Sequence, residues 1–408
     1  MDLSYRIAVR YFFSRNKRSF ISLIARIAMA GVAVGTMAMV VVLSVFNGME
    51  DLNRKIFKTF DSDIKISPSQ GKRFEVTGEM LQKIEKTQGV RLVTQIIEDN
   101  ALARYGNQQT IVRLKGVGPS FERQMRLDTA LIEGSLTLRG RNGTPYAIVS
   151  EGIRNALSVS LEDITMPLEF LYPKTNTKLL NLSSPDAFNQ LALRPGGVFF
   201  IETRYDDYVI APVDLVDSLM QYRGARSAVE VNVSPGFKEQ DVSAQLASAL
   251  GKEFVVKDRD SLNADLLRAI KMEKLFVAVT LSLIILVAAI NIFFSLSMLA
   301  IEKKKDISML YALGATPSLI RKIFLAEGAI VAFSGAIVGL LGGILICWLQ
   351  IKYGFVSMGM TTSLVDAYPV KLIWEDIFYT GIIVVMVTMV VSYIPARRAA
   401  EAGLILRV

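Results

Sequence analysis

Two carboxylate pairs, Glu98-Asp99 and Asp206-Asp207, are the residues whose types could support acid–base chemistry. Their spacing argues against it. Neighbours on a strand point to opposite faces, so neither pair converges on one substrate, and solvated surface is the expected position. The chain has no histidine, which removes Ser-His and Cys-His catalysis, histidine-bound zinc and a histidine pH switch. The single cysteine, Cys347, lies inside an apolar segment, so no disulfide is expected within the chain. Gly71-Lys72 lacks the glycine five residues earlier that a P-loop needs, and no G-x-S-x-G occurs. The expectation is a chain with no catalytic residue, no metal and no cofactor of its own.

The remaining chemistry is mechanical. Glu302, Lys303, Lys304, Lys305 and Asp306 form a charged run, followed by Ile307, Leu310 and Leu313 at helical spacing with Tyr311 one step round. Gly314 suits a helix C-cap, and Thr316-Pro317 suits the cap and first position of the next helix. A short helix held tightly between two membrane helices cannot move without moving them, as a docking knob for a cytoplasmic motor requires. A helix lying on the membrane surface is the competing reading.

Four charge-free segments position that knob: 27–49, 275–301, 328–351 and 377–396. Each is near or above the roughly 20 residues a helix needs to cross the hydrocarbon. The first continues past Ala28-Met29-Ala30 to Phe46, too long for a cleaved signal, so an uncleaved anchor is expected. Charge sets the orientation. Residues 1–26 carry six Lys/Arg against one acid, 302–327 five against three and 397–408 three against one, whereas 50–274 hold thirty of each sign and 352–376 two basic and three acidic. The formal excess of +8 therefore lies on one side of a four-helix topology, the positive-inside bias that places both termini in the cytoplasm. A nucleic-acid role loses support, because the one large extramembrane region is neutral.

The expected layout is a cytoplasmic amphipathic segment (1–26), TM1 (27–49), an outer α+β domain with stalk extensions (50–274), TM2 (275–301), a cytoplasmic coupling helix and elbow (302–327), TM3 (328–351), an outer loop (352–376), TM4 (377–396) and a cytoplasmic tail (397–408). In the outer domain, DIKIS (63–67) and AVEVNV (228–233) alternate as half-buried strands, and ALARY pairs with QQTIVRLKGV across Gly106-Asn107. TGEMLQKIEKTQG and EQDVSAQLASALG read as amphipathic helices, closed by Gly89 and Gly251. Between Tyr172 and Gly197 the regular signal fades, as in a functional excursion. The second membrane helix reads as Ser261–Glu302, about 60 Å long and so roughly twice the hydrocarbon thickness, and the first as running on through MEDLNRKIFKTF. Gly335, Gly339 and Gly343, and Gly31 with Gly35, mark faces for close helix packing, and Asn291 an interhelical hydrogen bond.

EKKKDISMLYALGA resembles the signature between the second and third helices of FtsX/MacB-like ABC permeases, through Asp306, Ile307, Leu310, Leu313, Gly314 and Ala315. FISLIARIAMAGVAVGTMAMVVVLSVFNGMEDL (20–52), NIFFSLSM (291–298) and YIPARRAA (393–400) resemble the lipoprotein-releasing (LolC/LolE-like) members of that family. The tail departs from the family pattern, with Gly403-Leu404 where Asp-Pro is common. The resemblance implies a MacB-like (type VII) permease fold in a bacterial inner membrane, the α+β domain periplasmic. It implies a non-catalytic subunit pairing with a second permease, as homo- or heterodimer, and with a LolD-like ATPase that binds ATP and magnesium. The cargo would be triacylated lipoprotein, handed to a LolA-like periplasmic chaperone. By family position, Val42, Val45, Phe46, Met49, Leu275, Phe276 and Val279 would line a lipid cavity, and Tyr172, Pro173, Leu179, Leu180 and Leu182 would form a chaperone hook. An FtsX-like scaffold activating a cell-wall hydrolase, or a MacB-like exporter of other substrates, is the alternative.

Overall fold

The computed structural model describes all residues except 1–5, 7, 9–19, 164, 175–186, 359–366 and 403–408. The expected segment 1–26 therefore lies largely outside the described residues, as do Leu179, Leu180, Leu182, Gly403 and Leu404. Two compact units divide the chain, with boundaries at Leu52/Asn53 and Leu267/Arg268.

The first unit is helical. Helix α1 spans Phe20–Phe60, and four described helices are long and apolar enough to cross a membrane. The other three are α7 (Ala264–Glu302), α9 (Pro317–Tyr353) and α10 (Trp374–Ala402), and the short α8 (Lys304–Ala312) stands between α7 and α9. Thr316 accepts a hydrogen bond from the Leu319 N–H and Pro317 takes the first turn, so α9 starts where the cap chemistry placed it. α7 does not begin at Ser261. Asp258 caps a separate turn, α6 (Arg259–Leu262), Asn263 breaks it, and α7 then runs 39 residues, about 58 Å. The small-residue faces are contact faces. A Cβ on Gly339 would lie 2.4 Å from the Ala33 carbonyl oxygen and one on Gly335 2.9 Å from that of Met29, so α9 meets α1 backbone to backbone. On another side of α1, Gly31 and Gly35 face Ala288 and Ile285 of α7. Asn291, expected between helices, is exposed, because the face of α7 that packs on α1 carries Ile285, Ala288 and Ile292 instead.

The second unit, Asn53–Leu267, is α+β. Its strands are β1 (Ile64–Pro68), β2 (Phe74–Glu75), β3 (Val90–Tyr105), β4 (Gln108–Val117), β5 (Leu131–Gly134), β6 (Tyr146–Ser150), β7 (Leu168–Pro173), β8 (Phe188–Phe199), β9 (Tyr208–Pro212), β10 (Ala225–Arg226), β11 (Ala228–Val233) and β12 (Phe254–Asp258). The main sheet runs β12-β1-β11-β3-β4-β9-β6-β8-β5, and β7 pairs with both β3 and β8. Strands β3, β4, β9, β6, β8 and β7 therefore close into a ring, which removes free edges there. Its interior holds Ile97, Val112, Leu114, Val149, Phe170 and Val209. β12, β1 and β11 extend the sheet beyond the ring, where α2 (Gly78–Lys86) and α5 (Glu239–Leu250) cover Ile64, Ile66, Val229 and Val231. The β3–β4 hairpin turns through Gly106 at φ +58, with Tyr105 opposite Gln108.

Within the domain 53–267 the structure differs from the sequence expectation at three further places. The stretch after Tyr172 is not an excursion to Gly197: β8 occupies 188–199 and continues through Pro195 and two glycines. Its pairing to β6 shifts register at Ala147/Ile148, opposite Pro195, the kind of irregularity that tolerates proline in a sheet. β11 is not half-buried. It lies between β1 and β3 and is buried on both faces, so Glu230 and Asn232 are interior polar residues. Glu98 is likewise not solvated surface but sits in an ion-pair network with Lys65, while Asp206-Asp207 occupy a turn rather than a strand.

Candidate functional site

The short helix α8 separates its apolar edge into two groups. Ile307 and Tyr311 are buried in a cluster with Leu299, Ile320, Phe324, Ala396 and Ala399, and the Tyr311 hydroxyl donates to the Ala400 carbonyl at 2.7 Å. This seats α8 against α7, α9 and α10. Leu310 is half-buried, whereas Leu313 is 84% exposed and Met309, which the sequence reading passed over, is 59% exposed. Gly314 follows at φ +92 with no atom within 4 Å of the Cβ position, and Ala315 is partly buried in the same cluster. Asp306 pairs with Lys303 at 3.1 Å across one turn. The helix thus has a fixed inner side and an apolar outer tip made by Met309 and Leu313. A 3.6-residue period groups Ile307, Leu310 and Leu313 on one edge but does not say how far round the packed arc extends.

At the other end of the membrane helices, Val42, Val45, Phe46 and Met49 of α1 are half-buried, and Leu275, Phe276 and Val279 of α7 are exposed. A polar clasp that sequence reasoning missed lies directly beside them in sequence. The Lys274 ammonium donates to Asn47 Oδ1 at 2.8 Å and to Asp376 Oδ2 at 2.7 Å, and Asn47 Nδ2 donates to the same carboxylate oxygen at 2.7 Å. Three helices, α1, α7 and α10, meet in that triad. Asp51 pairs with Lys371, and the Lys371 N–H donates to the Ser44 carbonyl at 2.9 Å. The available signal was position: Lys274 and Asp376 each stand at the threshold of a charge-free run, where charges close to hydrocarbon need partners.

Inside the second unit, charge and aromatic packing hold the last turns of α1, from Asn53 onward. Phe57 and Phe60 of α1 are buried, and the Phe60 ring packs on Phe199, Tyr205 and Tyr208. Arg54 binds Asp260 at 2.6 Å, and Asn263 Nδ2 donates to Asp61 at 2.9 Å. Behind Phe60 lies the buried network. Lys115 binds Glu230 at 2.8 Å, Arg126 binds its other oxygen at 2.9 Å, and the Lys115 ammonium sits 4.6 Å over the Phe60 ring. Burial alone would raise Glu230, but the charges of Lys115, Arg126 and Lys65 outweigh it and hold the carboxyl at about 2. Glu98 is lowered in the same way, burial being outweighed by Lys65 and Lys115.

Of the hook residues, Tyr172 and Pro173 end β7, which pairs antiparallel with β8, Pro173 opposite Phe188. The Tyr172 hydroxyl donates to Asp99 at 3.0 Å; burial, then that hydrogen bond, pushes it up to about 12, so it stays a neutral donor.

The model for the FtsX-like permease C-terminal region matches residues 278–404, and the model for the MacB-like periplasmic core domain matches 26–167. The lipoprotein-releasing system transmembrane protein LolC of Xylella fastidiosa (strain Temecula1) is 24% identical over 98% of this chain and 97% of its own. The corresponding LolE of Haemophilus influenzae is 22% identical, covering 98% of each chain. The periplasmic region of MacB from Actinobacillus actinomycetemcomitans covers 50% of this chain and 91% of its own, at 14% identity and a TM-score of 0.36. The resemblance read from the sequence is borne out over nearly the full length.

Proposed function

We infer that this chain is the transmembrane permease subunit of a lipoprotein-releasing ABC transporter, with an FtsX-like helical unit and a MacB-like periplasmic domain. The observation that carries the reading is the match to LolC and LolE from end to end, on a chain whose described part has four membrane-length helices and a seated α8 between the second and third.

In this reading both termini and α8 are cytoplasmic, and the domain 53–267 is periplasmic. A separate LolD-like ATPase binds ATP and magnesium; the permease itself is non-catalytic and works with a second permease chain. Met309, Leu313 and Gly314 form the tip that enters the ATPase, while Ile307 and Tyr311 hand its displacement to α7, α9 and α10. Asp306 fixes the first turn, and Leu310 and Ala315 border the contact.

The cargo is a triacylated lipoprotein. Its acyl chains gain about 0.8 kcal/mol per methylene shielded from water, so a sheltered apolar route is required. Val42, Val45, Phe46 and Met49 on α1 and Leu275, Phe276 and Val279 on α7 supply it. The segment that follows Tyr172-Pro173, with Leu179, Leu180 and Leu182, is assigned to capture of a LolA-like chaperone.

Purification in mild detergent tests the reading. An ATPase chain and acylated proteins are expected to co-purify; a cell-wall hydrolase in place of acylated cargo would contradict it. Phe46→Asp with Met49→Asp is expected to stop lipoprotein release while the ATPase still assembles. Deleting 174–186 is expected to abolish chaperone binding, and undiminished binding would remove the hook.

A further inference from the structure

The second unit contains a cleft of about 670 Å³ that none of the assignments above uses. Charge there is lopsided, although residues 50–274 are balanced at thirty of each sign. Lys55, Lys58, Arg91, Arg126 and Arg259 line it, against Asp63 and Glu239. Both acids bind Arg259, and Arg126 shares Glu230 with Lys115. With Lys55 left aside and the adjoining Lys115 and Glu230 counted, five cations stand against three anions, an excess of two. Among the described residues, Lys58 and Arg91 make no ion pair.

The cleft wall also holds polar atoms whose bonding is incomplete. Asn232 is only 2% exposed, yet its Oδ1 has no hydrogen-bond partner among the described residues, and neither does Nε of Arg126 or of Arg259. Buried polar atoms are normally paired, and here three belong to residues of one cleft. The two-residue period of β11 puts Asn232 on the same face as Glu230, so a polar row leads from the ion-pair network to the opening. The margin is apolar: Met125, held at φ +51, and Phe237 are both exposed large side chains. Cations with an apolar margin suit an anion that carries, or lies beside, a nonpolar group. Guanidinium forks match phosphate oxygens in particular.

We propose that this cleft binds a phosphate group, carried by a lipid headgroup or by a soluble phosphate, with Lys58 and Arg91 at the opening and Arg126, Arg259 and Asn232 behind them. Lys55 and Lys58 follow the charge-free run 27–49 by six and nine residues, which makes a headgroup source accessible to the test as well as a soluble one.

The experiment uses the full chain in nanodiscs and reads hydrogen exchange across 54–63 and 230–239. The probes are inorganic phosphate, short-chain phosphatidylglycerol and, as a control that lacks phosphate, short-chain diacylglycerol. Saturable slowing of exchange is expected. Lys58→Ala with Arg91→Ala is expected to weaken it about tenfold or more, while Lys58→Arg with Arg91→Lys preserves it; both sites are exposed, so the fold is retained. Tighter response to phosphatidylglycerol identifies a headgroup, and tighter response to inorganic phosphate a soluble source. Absence of response to either probe, or a response that the double alanine variant leaves unchanged, overturns the proposal. Because the readout is binding alone, its failure leaves the transport reading untouched.

Discussion

The two units solve the burial of polar groups in opposite ways. In the domain 53–267, interior charges are paired with one another: Lys115 and Arg126 with Glu230, and Lys65 with Glu98. In the helical unit, four interior hydroxyls, those of Thr36, Thr380, Thr388 and Ser392, bond their own helix one turn back. Thr36 donates to Val32 at 2.7 Å, Thr388 to Val384 at 2.7 Å and Ser392 to Thr388 at 2.7 Å. A hydroxyl satisfied within its helix needs no partner from a neighbour, so helices meet through glycines instead. The lesson is that the domain is held at specific cross-links, whereas the helical unit is held by fit along smooth surfaces. The helical unit keeps its charge-to-charge links at its two ends, in the Asn47-Lys274-Asp376 clasp and the Lys303-Asp306 pair.

The largest expected effect tests the cross-links. Glu230→Ala leaves two cations buried without their acid, and breaking such a pair costs about 3–5 kcal/mol. The domain's unfolding midpoint in denaturant should fall accordingly. A loss under about 1 kcal/mol, the size expected of a surface pair, would mean that the network is incidental. Acid reports on the same carboxyl. Glu230 titrates at about 2 in the folded domain against roughly 4.3 unfolded, so its contribution is complete above the unfolded value and is lost as pH falls through the folded one. Melting followed between about pH 4.5 and 2 should show a steep loss, and Glu230→Gln should flatten it.

Next in size is the glycine seam. Gly339→Ala places a methyl 2.4 Å from the Ala33 carbonyl oxygen, and forced overpacking costs about 1–3 kcal/mol. Detergent-solubilised protein should show a lower melting temperature. Gly314→Ala, where nothing lies within 4 Å but φ is +92, probes backbone strain without crowding, so unequal effects at these two positions would separate contact from conformation. The smallest effect belongs to Thr388→Val, which removes a bond made within one helix. A change of about 0.6 kcal/mol is the scale for membrane hydrogen bonds, and a loss several times larger would show that the hydroxyl links neighbours after all.

How much of this was legible in the sequence follows from the same contrast. The helical unit is readable because charge-free length and glycine spacing specify a smooth surface without naming its partner; the four-residue spacing of Gly335, Gly339 and Gly343 marks the face that packs closely in the structure. Local signals in the domain also held, as at Gly106 in the β3–β4 hairpin and Gly251 after α5. The cross-links were not readable. Alternation in AVEVNV places Glu230 and Asn232 on one face but cannot say that Lys115 and Arg126, more than a hundred residues earlier, will cover it. The same limit applies to the candidate site. Periodicity put Leu313 beside Ile307 on α8, and only the neighbouring helices decide that Ile307 is seated while Leu313 and Met309 project. Asn47 gave no signal at all, since its partners lie 227 and 329 residues away.

The central claim is that motion enters through the tip of α8. Its most direct test is simultaneous measurement of ATP hydrolysis and lipoprotein release in proteoliposomes containing the assembled transporter, with Met309→Asp and Leu313→Asp introduced together. Continued hydrolysis with release reduced at least about tenfold is the predicted result, and release at the wild-type ratio to hydrolysis would contradict it.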